Sequence, residues 1–438
     1  MKSSLIGFVI MSMLCTAINV RAQEKKTIKL DEAIDLGIKN SKQLQINQAK
    51  IEEATALLQQ AEDKRLPDAN VSGSYMRILN ADVKMKSNNN GGGSQKISNA
   101  IYGILNASAP LYTGGRIKYG IESAKYLEQA ARLDADNNKD EVIQNIIEAF
   151  ATLFKSKTAI RLLQENLAAS KERIKDFSNM EQNGLLARND LLKAQLQSSN
   201  IELNLVDAEN NWQLANVHMD IILGLPVTTE LLLDTIGIEK KNDTRTLQDY
   251  LQAASNNRKD VQAIEYQKKA AVTNVKSVQA EMYPNLQLTG GYIAADIPKF
   301  ISITNAVNVG VGVSYNIGSL WKTRSKVQQA EARTKQVELT EGIMNDNINL
   351  QVNNSYLDLL KNRKKIEVYT KAVEQAEENY RIVKNKFDNS LATATDLLDA
   401  DVAQFQARLS YTLARADAFV AYNKLLQTTG ILSTELKK

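Results

Sequence analysis

The chain is one unit written twice. Without a gap, residues 30–75 match residues 247–292, pairing Leu30 with Leu247, Asn40 with Asn257, Ala54 with Ala271, Pro67 with Pro284 and Tyr75 with Tyr292. A second gapless match sets residues 108–224 against residues 314–430, through Lys155 and Lys361, Asn183 and Asn389, Leu185 and Leu391, Asp190 and Asp396, and Gly224 and Gly430. Solenoid repeats run about 20–50 residues, so a copy this long is a whole structural unit. What the chain does must arise from what two such units build together.

Lys2, an apolar run over residues 5–17 and the small-residue site Val20-Arg21-Ala22 read as a secretory leader cut before Gln23. The run is too short to cross a bilayer as a helix. Cys15, the single cysteine, lies inside it behind Met13 and Leu14, where a lipidated leader has a small residue. The exported chain is therefore expected to lack thiols, disulfides and a lipid anchor, which excludes cysteine nucleophiles and thiolate metal sites. Lysine and arginine number 54 against 50 aspartates and glutamates, so no basic excess argues for a nucleic-acid partner. With one histidine, His218, and no phosphate-loop pattern, neither an enzyme nor a bound cofactor or metal is expected.

Proline falls only at positions 67, 110, 226, 284 and 298. The tracts between are rich in Ala, Leu, Lys, Glu and Gln, the composition of long helices. Residues 117–182 space Ile143, Ile146, Ile147, Phe150, Leu153, Phe154, Ile160 and Leu163 by three and four. That spacing predicts a helix of roughly 65 residues, about 100 Å long, and residues 322–388 predict its duplicate. Each is followed, after a break at Asn183-Gly184-Leu185 or Asn389-Ser390-Leu391, by a returning helix of about 39 residues. The returning helices end at Gly224 and Gly430, where glycine suits a helix C-terminus. Residues 41–66 and 258–283 predict helices of about 26 residues, which stacked on the returning arms match the long arm.

Residues 305–315 alternate strictly, with Val307, Val309, Val311, Val313 and Tyr315 opposed to Asn308, Gly310, Gly312 and Ser314. Residues 286–294, 69–79 and 97–110 do likewise. Period-two runs of about ten residues have the length and pattern of outer-membrane strands, apolar toward lipid and polar toward water. A half-buried hairpin on a soluble core would show the same pattern in any one of them; their duplication on an exported chain with no globular core favours the membrane. Connectors 80–96 and 295–304 read as loops. Four strands cannot close a barrel, and open edges are not tolerated in hydrocarbon, so the chain is expected to oligomerise.

Several short segments then recur in a fixed order: Leu30-Asp31-Glu32-Ala33, the prolines Pro67 and Pro284 ahead of a first strand, Leu111-Tyr112-Thr113-Gly114-Gly115-Arg116 after a strand, and the tips at residues 183–190 and 387–400. Through them the exported chain resembles the TolC-type outer-membrane efflux proteins. The resemblance implies a mainly α fold with a membrane β-barrel: a homotrimer whose shared twelve-stranded barrel, four strands per chain, continues into a long α-helical coiled-coil periplasmic tunnel. It divides the chain into a leader (1–22), an N-terminal equatorial segment (23–40), a first repeat of helix (41–66), β-hairpin (67–115) and long helical hairpin (116–224), an equatorial linker (225–257), a second repeat of helix (258–283), β-hairpin (284–321) and helical hairpin (322–430), and a tail (431–438). The implied function is a passive export duct through the outer-membrane lipid of a Gram-negative bacterium, in a tripartite efflux or type I secretion system. A periplasmic adaptor (membrane fusion) protein and an inner-membrane pump of RND, ABC or MFS type would open it.

The segment 387–400 is similar to the family segment whose two aspartates ring the periplasmic aperture, and the matching positions are Asp396 and Asp399. Spaced by three, they share a helical face; six such carboxylates around one opening would attract cations and raise some of their own pKa values. Thr393 with Asp396 also has the spacing of an N-terminal capping pair. The first repeat, however, has Asp190 but Lys193 where Asp399 stands, so capping alone does not require both acids. Where the family prototype has a tyrosine and a basic residue that hold the closed state, this chain has Phe387 and Ala392; Arg188 beside Asp190 is the candidate substitute. Gly184, Leu185, Ser390 and Leu391 match the tip positions that meet an adaptor, and equally suit a tight turn with an apolar staple. Trp321, Tyr315 and Tyr112 are expected as interfacial anchors, Trp212 between helices, and His218 as a solvated or packed side chain. A soluble periplasmic coiled-coil adaptor is the alternative reading, although it would need compact β-domains in place of two short hairpins.

Overall fold

The computed structural model describes residues 25–83, 95–234, 243–298 and 301–436, so the leader expected over residues 1–22 lies outside the described residues. The elements are β1 (Lys25–Ile28), α1 (Leu30–Asn40), α2 (Lys42–Asp63), β2 (Asp68–Val83), β3 (Gln95–Tyr112), α3 (Arg116–Gln182), α4 (Arg188–Leu223), β4 (Glu230–Leu233), α5 (Leu247–Asn257), α6 (Lys259–Gln279), β5 (Asn285–Ile297), β6 (Ile301–Ser314), α7 (Ser319–Asp388), α8 (Ala394–Thr428) and α9 (Leu432–Glu435). They divide into two compact units. One comprises the chain through Ile46, Asp136–Arg258 and Asn347 onward; the other comprises Asn47–Ala135 and Lys259–Asp346. The long helices α3 and α7, of 67 and 70 residues, contribute to both.

In the second of these units the strands form one antiparallel sheet in the order β2-β3-β5-β6. Pro67 and Pro284 stand immediately before β2 and β5, where a missing N–H costs the ladder nothing. The connector expected over residues 295–304 is largely strand instead: Ala295 pairs with Ile303, Asp296 with Ser302 and Ile297 with Ile301. The β-branched Ile297, Ile301 and Ile303 carry the ladder to the turn at Pro298. In the same way β2 runs on to Val83 and β3 begins at Gln95, past a register shift between Arg77 and Ala81, so both ends of the loop expected over residues 80–96 are strand, and residues 84–94 lie outside the described residues. One sheet face presents Val71, Tyr75, Leu105 and Leu288 with Val307, Val309, Val311 and Val313, and these four valines are 62–78% exposed. The other face sets Asn70 against Asn106, Ser108 against Thr289, and Gln287 against Gly312. Helix pairing in this unit is tied by Lys268 to Glu341 at 2.9 Å and by the Ser123 hydroxyl donating to the Ala270 carbonyl at 3.0 Å.

The first unit holds the larger apolar core. Ile28 of β1, Ala33 and Ile34 of α1, Ile143, Ile146, Ile147, Phe150 and Leu153 of α3, Met219 and Leu223 of α4, Leu231 of β4, Leu426 of α8 and Leu432 of α9 close into one buried cluster. β1 pairs in parallel with β4, from Lys25 on Glu230 to Ile28 on Leu233. The N-terminal segment, the linker and the tail thus share one core around the helices. Asn216 fixes the linker: its Nδ2 donates to the Thr229 carbonyl at 2.6 Å and its Oδ1 accepts from the Leu231 amide at 2.9 Å. Both returning helices end on a left-handed glycine, Gly224 at φ +69° and Gly430 at φ +71°. In each, the next residue bonds back five positions, Leu225 to Asp220 and Ile431 to Leu426, the wrap that satisfies the last carbonyls.

Candidate functional site

The hairpin tips are two copies of one turn. At the first, the Leu185 amide bonds to the Met180 carbonyl at 2.8 Å across Gly184, which sits at φ +74°. At the second, Leu391 bonds to Lys386 at 2.7 Å across Ser390, a non-glycine residue at φ +60°. Each wrap throws its leucine outward, leaving Leu185 73% and Leu391 77% exposed. An apolar side chain displayed so fully on a tight turn gains nothing from its own fold.

Beyond the second turn, α8 opens with a full capping box. The Thr393 Oγ1 accepts from the Asp396 amide at 3.1 Å, and Asp396 Oδ2 accepts from the Thr393 amide at 2.9 Å and hydroxyl at 2.7 Å. These bonds hold the Asp396 carboxyl below the usual carboxylate range. The shift within a protomer is therefore downward, against the upward shift expected of a carboxylate ring. Asp396 and Asp399 are both exposed while Leu397, Leu398 and Ala400 between and beside them are buried. The helix thus turns its two acids to one open face.

Under that face a small cluster joins the two hairpins: Phe177, Leu191 and Ala194 of the first pack with Ala394, Leu397 and Leu398 of the second. Phe387 packs on Phe177 with ring centroids 5.4 Å apart, an apolar contact. Arg188 reaches Glu181 at 3.3 Å rather than its neighbour Asp190. Asp190 instead meets Lys193 at 3.5 Å, and the Lys193 ammonium also donates to Thr395 Oγ1 of the other hairpin at 3.0 Å. Deeper, Arg173 of α3 pairs with Asp401 of α8 through two bonds of 2.7 and 2.9 Å. Sequence reasoning passed over Arg173 and Asp401, yet one signal was available. Asp401 lies one turn beyond Leu397, a charge set on the helix's apolar stripe.

The remaining aromatic residues follow their surroundings. Trp321, Tyr315 and Tyr112 are 64%, 43% and 50% exposed beside the strand ends, as residues of a bilayer interface are. Trp212 is half-buried against the helix core, with the Lys157 ammonium 4.4 Å over its ring. His218 is exposed on α4. Among the described residues no helix is long and apolar enough to cross a membrane, and no group of three or more His, Cys, Asp or Glu side chains is placed to hold a metal.

The family model described as "Outer membrane efflux protein" matches residues 33–225 and again residues 250–431, once for each repeat. The outer membrane efflux protein BepC of Brucella suis is 20% identical over 328 residues, covering 74% of this chain and 71% of that protein. The outer membrane protein TolC of Vibrio cholerae is 22% identical over 311 residues, 67% of this chain and 68% of its own. In structure, the outer membrane protein VceC of Vibrio cholerae superposes with a TM-score of 0.76 at 18% identity, over 92% of this chain and 96% of that one. An exposed valine face on a four-stranded sheet, duplicated long helical hairpins and these matches agree: the chain belongs to the outer membrane efflux protein family and is an efflux channel subunit of the Gram-negative outer membrane, reaching into the periplasm.

Proposed function

We infer that three copies of the chain close one barrel and one tube, and that the tube is gated at its periplasmic end by the aspartates of α8. The observation that carries this reading is the open face of the second tip. Asp396 and Asp399 are exposed on one face of a helix whose Ala394, Leu397, Leu398 and Ala400 are buried. The Thr393 cap keeps Asp396 ionised and fixes its direction. Ringed by copies of itself, this face sets fixed negative charge around a narrow opening, where a low-dielectric wall focuses the field on passing cations.

Sealing follows from the sheet. In the protomer β2 and β6 are its edges, each with one strand neighbour. In hydrocarbon, unpaired backbone groups have no water to turn to. Pairing β6 of one copy with β2 of the next satisfies both edges, and three copies of four strands give a closed wall. Leu185 and Leu391, displayed at the tips, then suit docking of a periplasmic adaptor's helical hairpins, with an inner-membrane pump supplying the energy. Asp190, Lys193 and Arg188 lie beside the first docking turn, where their polar contacts help hold the aperture shut.

The ring is tested by conductance. Trimers carrying Asp396→Ala and Asp399→Ala together are expected to lose both cation preference and block by multivalent cations in planar bilayers, with the closed barrel intact. Cation selectivity equal to that of the native pore would remove the aspartates from the aperture.

A further inference from the structure

We propose that the ion pair between Arg173 and Asp401 is the latch that holds the two hairpins of a protomer in the closed register, the part left empty by Phe387 and Ala392. The inference rests on the gated-duct reading above. Each side chain is buried, with 9% and 8% of its surface exposed, and the two meet through paired nitrogen–oxygen contacts of 2.7 and 2.9 Å. Tyr380 of α7 packs on the neighbouring cluster around Phe177. One helix of each hairpin, α3 and α8, meets the other at one buried ion pair. The other contacts described between the hairpins at the tip give way more easily. The cluster around Phe177 and Leu398 is apolar and largely of small or flexible side chains, and such packing is non-directional. Lys193 to Thr395 joins side chains in contact with water, so it adds to closure but parts at a smaller cost than a buried pair. A fork-shaped guanidinium on a carboxylate has one good geometry. Turning one hairpin against the other separates the pair, and a lone buried charge is the costly outcome, so the tip resists until water enters. The device is a bistable element: dry and paired when closed, wetted and apart when open.

The test uses the full-length trimer in planar bilayers, with native protein beside it. Asp401→Asn, nearly isosteric, removes the charge and keeps the volume; Arg173→Met removes the other partner. Each is expected to raise the conductance of the resting pore several-fold. The reversed pair, Arg173→Asp with Asp401→Arg, is expected to return it toward the native value. Lys155→Met breaks a half-exposed ion pair to Asp417 between the same two helices, 2.8 Å apart, and is expected to leave resting conductance unchanged. Native conductance in the Asp401→Asn trimer overturns the latch, and so does an equal rise in Lys155→Met, which would mean that any loosening opens the tip. Should the single variants fail to assemble, the reversed pair decides: a closed, native-like pore supports the latch, while an open or unassembled one overturns it. A native protein that forms no pore removes the duct reading itself, a result distinct from a native pore whose variants stay shut.

Discussion

Asp220 shows how far a single residue is set by its surroundings. It is fully buried on α4, and only one of its oxygens is paired: Asn216 Nδ2 donates to Oδ2 at 3.1 Å, whereas Oδ1 has no partner. Burial pushes its pKa up to about 6, because a carboxylate removed from water pays for its charge. An unfolded aspartate releases its proton near pH 4. Between the two values the folded protein holds a proton that the unfolded chain has lost, so this residue's contribution falls as pH rises through that window and stays low above it. Asp220→Asn keeps the shape and discards the charge. The variant is expected to gain on the native protein across this window, reaching at most about 3 kcal/mol above pH 7. Heat-dissociation midpoints of the purified protein, read from pH 4 to 8, check it: a constant gap between variant and native would show that Asp220 does not titrate there.

At the scale of elements, what the sequence made legible was periodicity and punctuation. The three- and four-residue spacing around Ile146 and Phe150 marked a helix that runs from Arg116 to Gln182, and Gly224 marked where its partner stops. The strands were recognised but cut short, because alternation fades at residues 295–304 while the β-branched side chains that keep the ladder going remain. At the tips, aspartate spacing placed Asp396 and Asp399 on one exposed face, but no local pattern reveals that Arg173 lies opposite Asp401, 228 residues away. That pairing depends on how hairpins meet, which is information of long range. The turns themselves are legible in chemistry. Gly184 adopts φ +74° freely, whereas Ser390 adopts φ +60° at a cost that glycine would avoid. Ser390→Gly is thus expected to raise stability by about 0.5–1 kcal/mol and to leave docking intact, since the first tip already uses glycine. With Leu185→Cys and Leu391→Cys, disulfide capture of an adaptor bearing cysteines at its hairpin end reads the docking. Transport that persists with no capture at either tip would separate the exposed leucines from the adaptor.

The whole molecule is incomplete as one copy, and each unit shows it separately. In the strand unit the bare valine face of β6 calls for lipid and the edges of β2 and β6 call for strands. In the other unit, α4 buries one side and leaves Leu192, Leu196, Leu203, Val206, Leu214, Val217 and Ile221 exposed. Their intervals return repeatedly to one face of the helix, as apolar seams of paired helices do. Along α7 a second seam of Leu350, Leu357, Leu360 and Val368 is likewise uncovered. Two apolar seams on a helix unit and none covered within the protomer are what a ring of copies requires, each copy offering one seam to either neighbour. Leucine at these positions contributes little to the isolated protomer, because its side chain already faces water there. A charge at the seam should therefore spare the fold and block assembly. Leu203→Glu combined with Leu214→Glu is expected to abolish the heat-resistant trimer on gels while far-ultraviolet circular dichroism keeps its native helical signal. If trimers persist at native yield, the α4 seam faces something other than a second copy; if helical signal is lost with them, the seam supports the protomer itself.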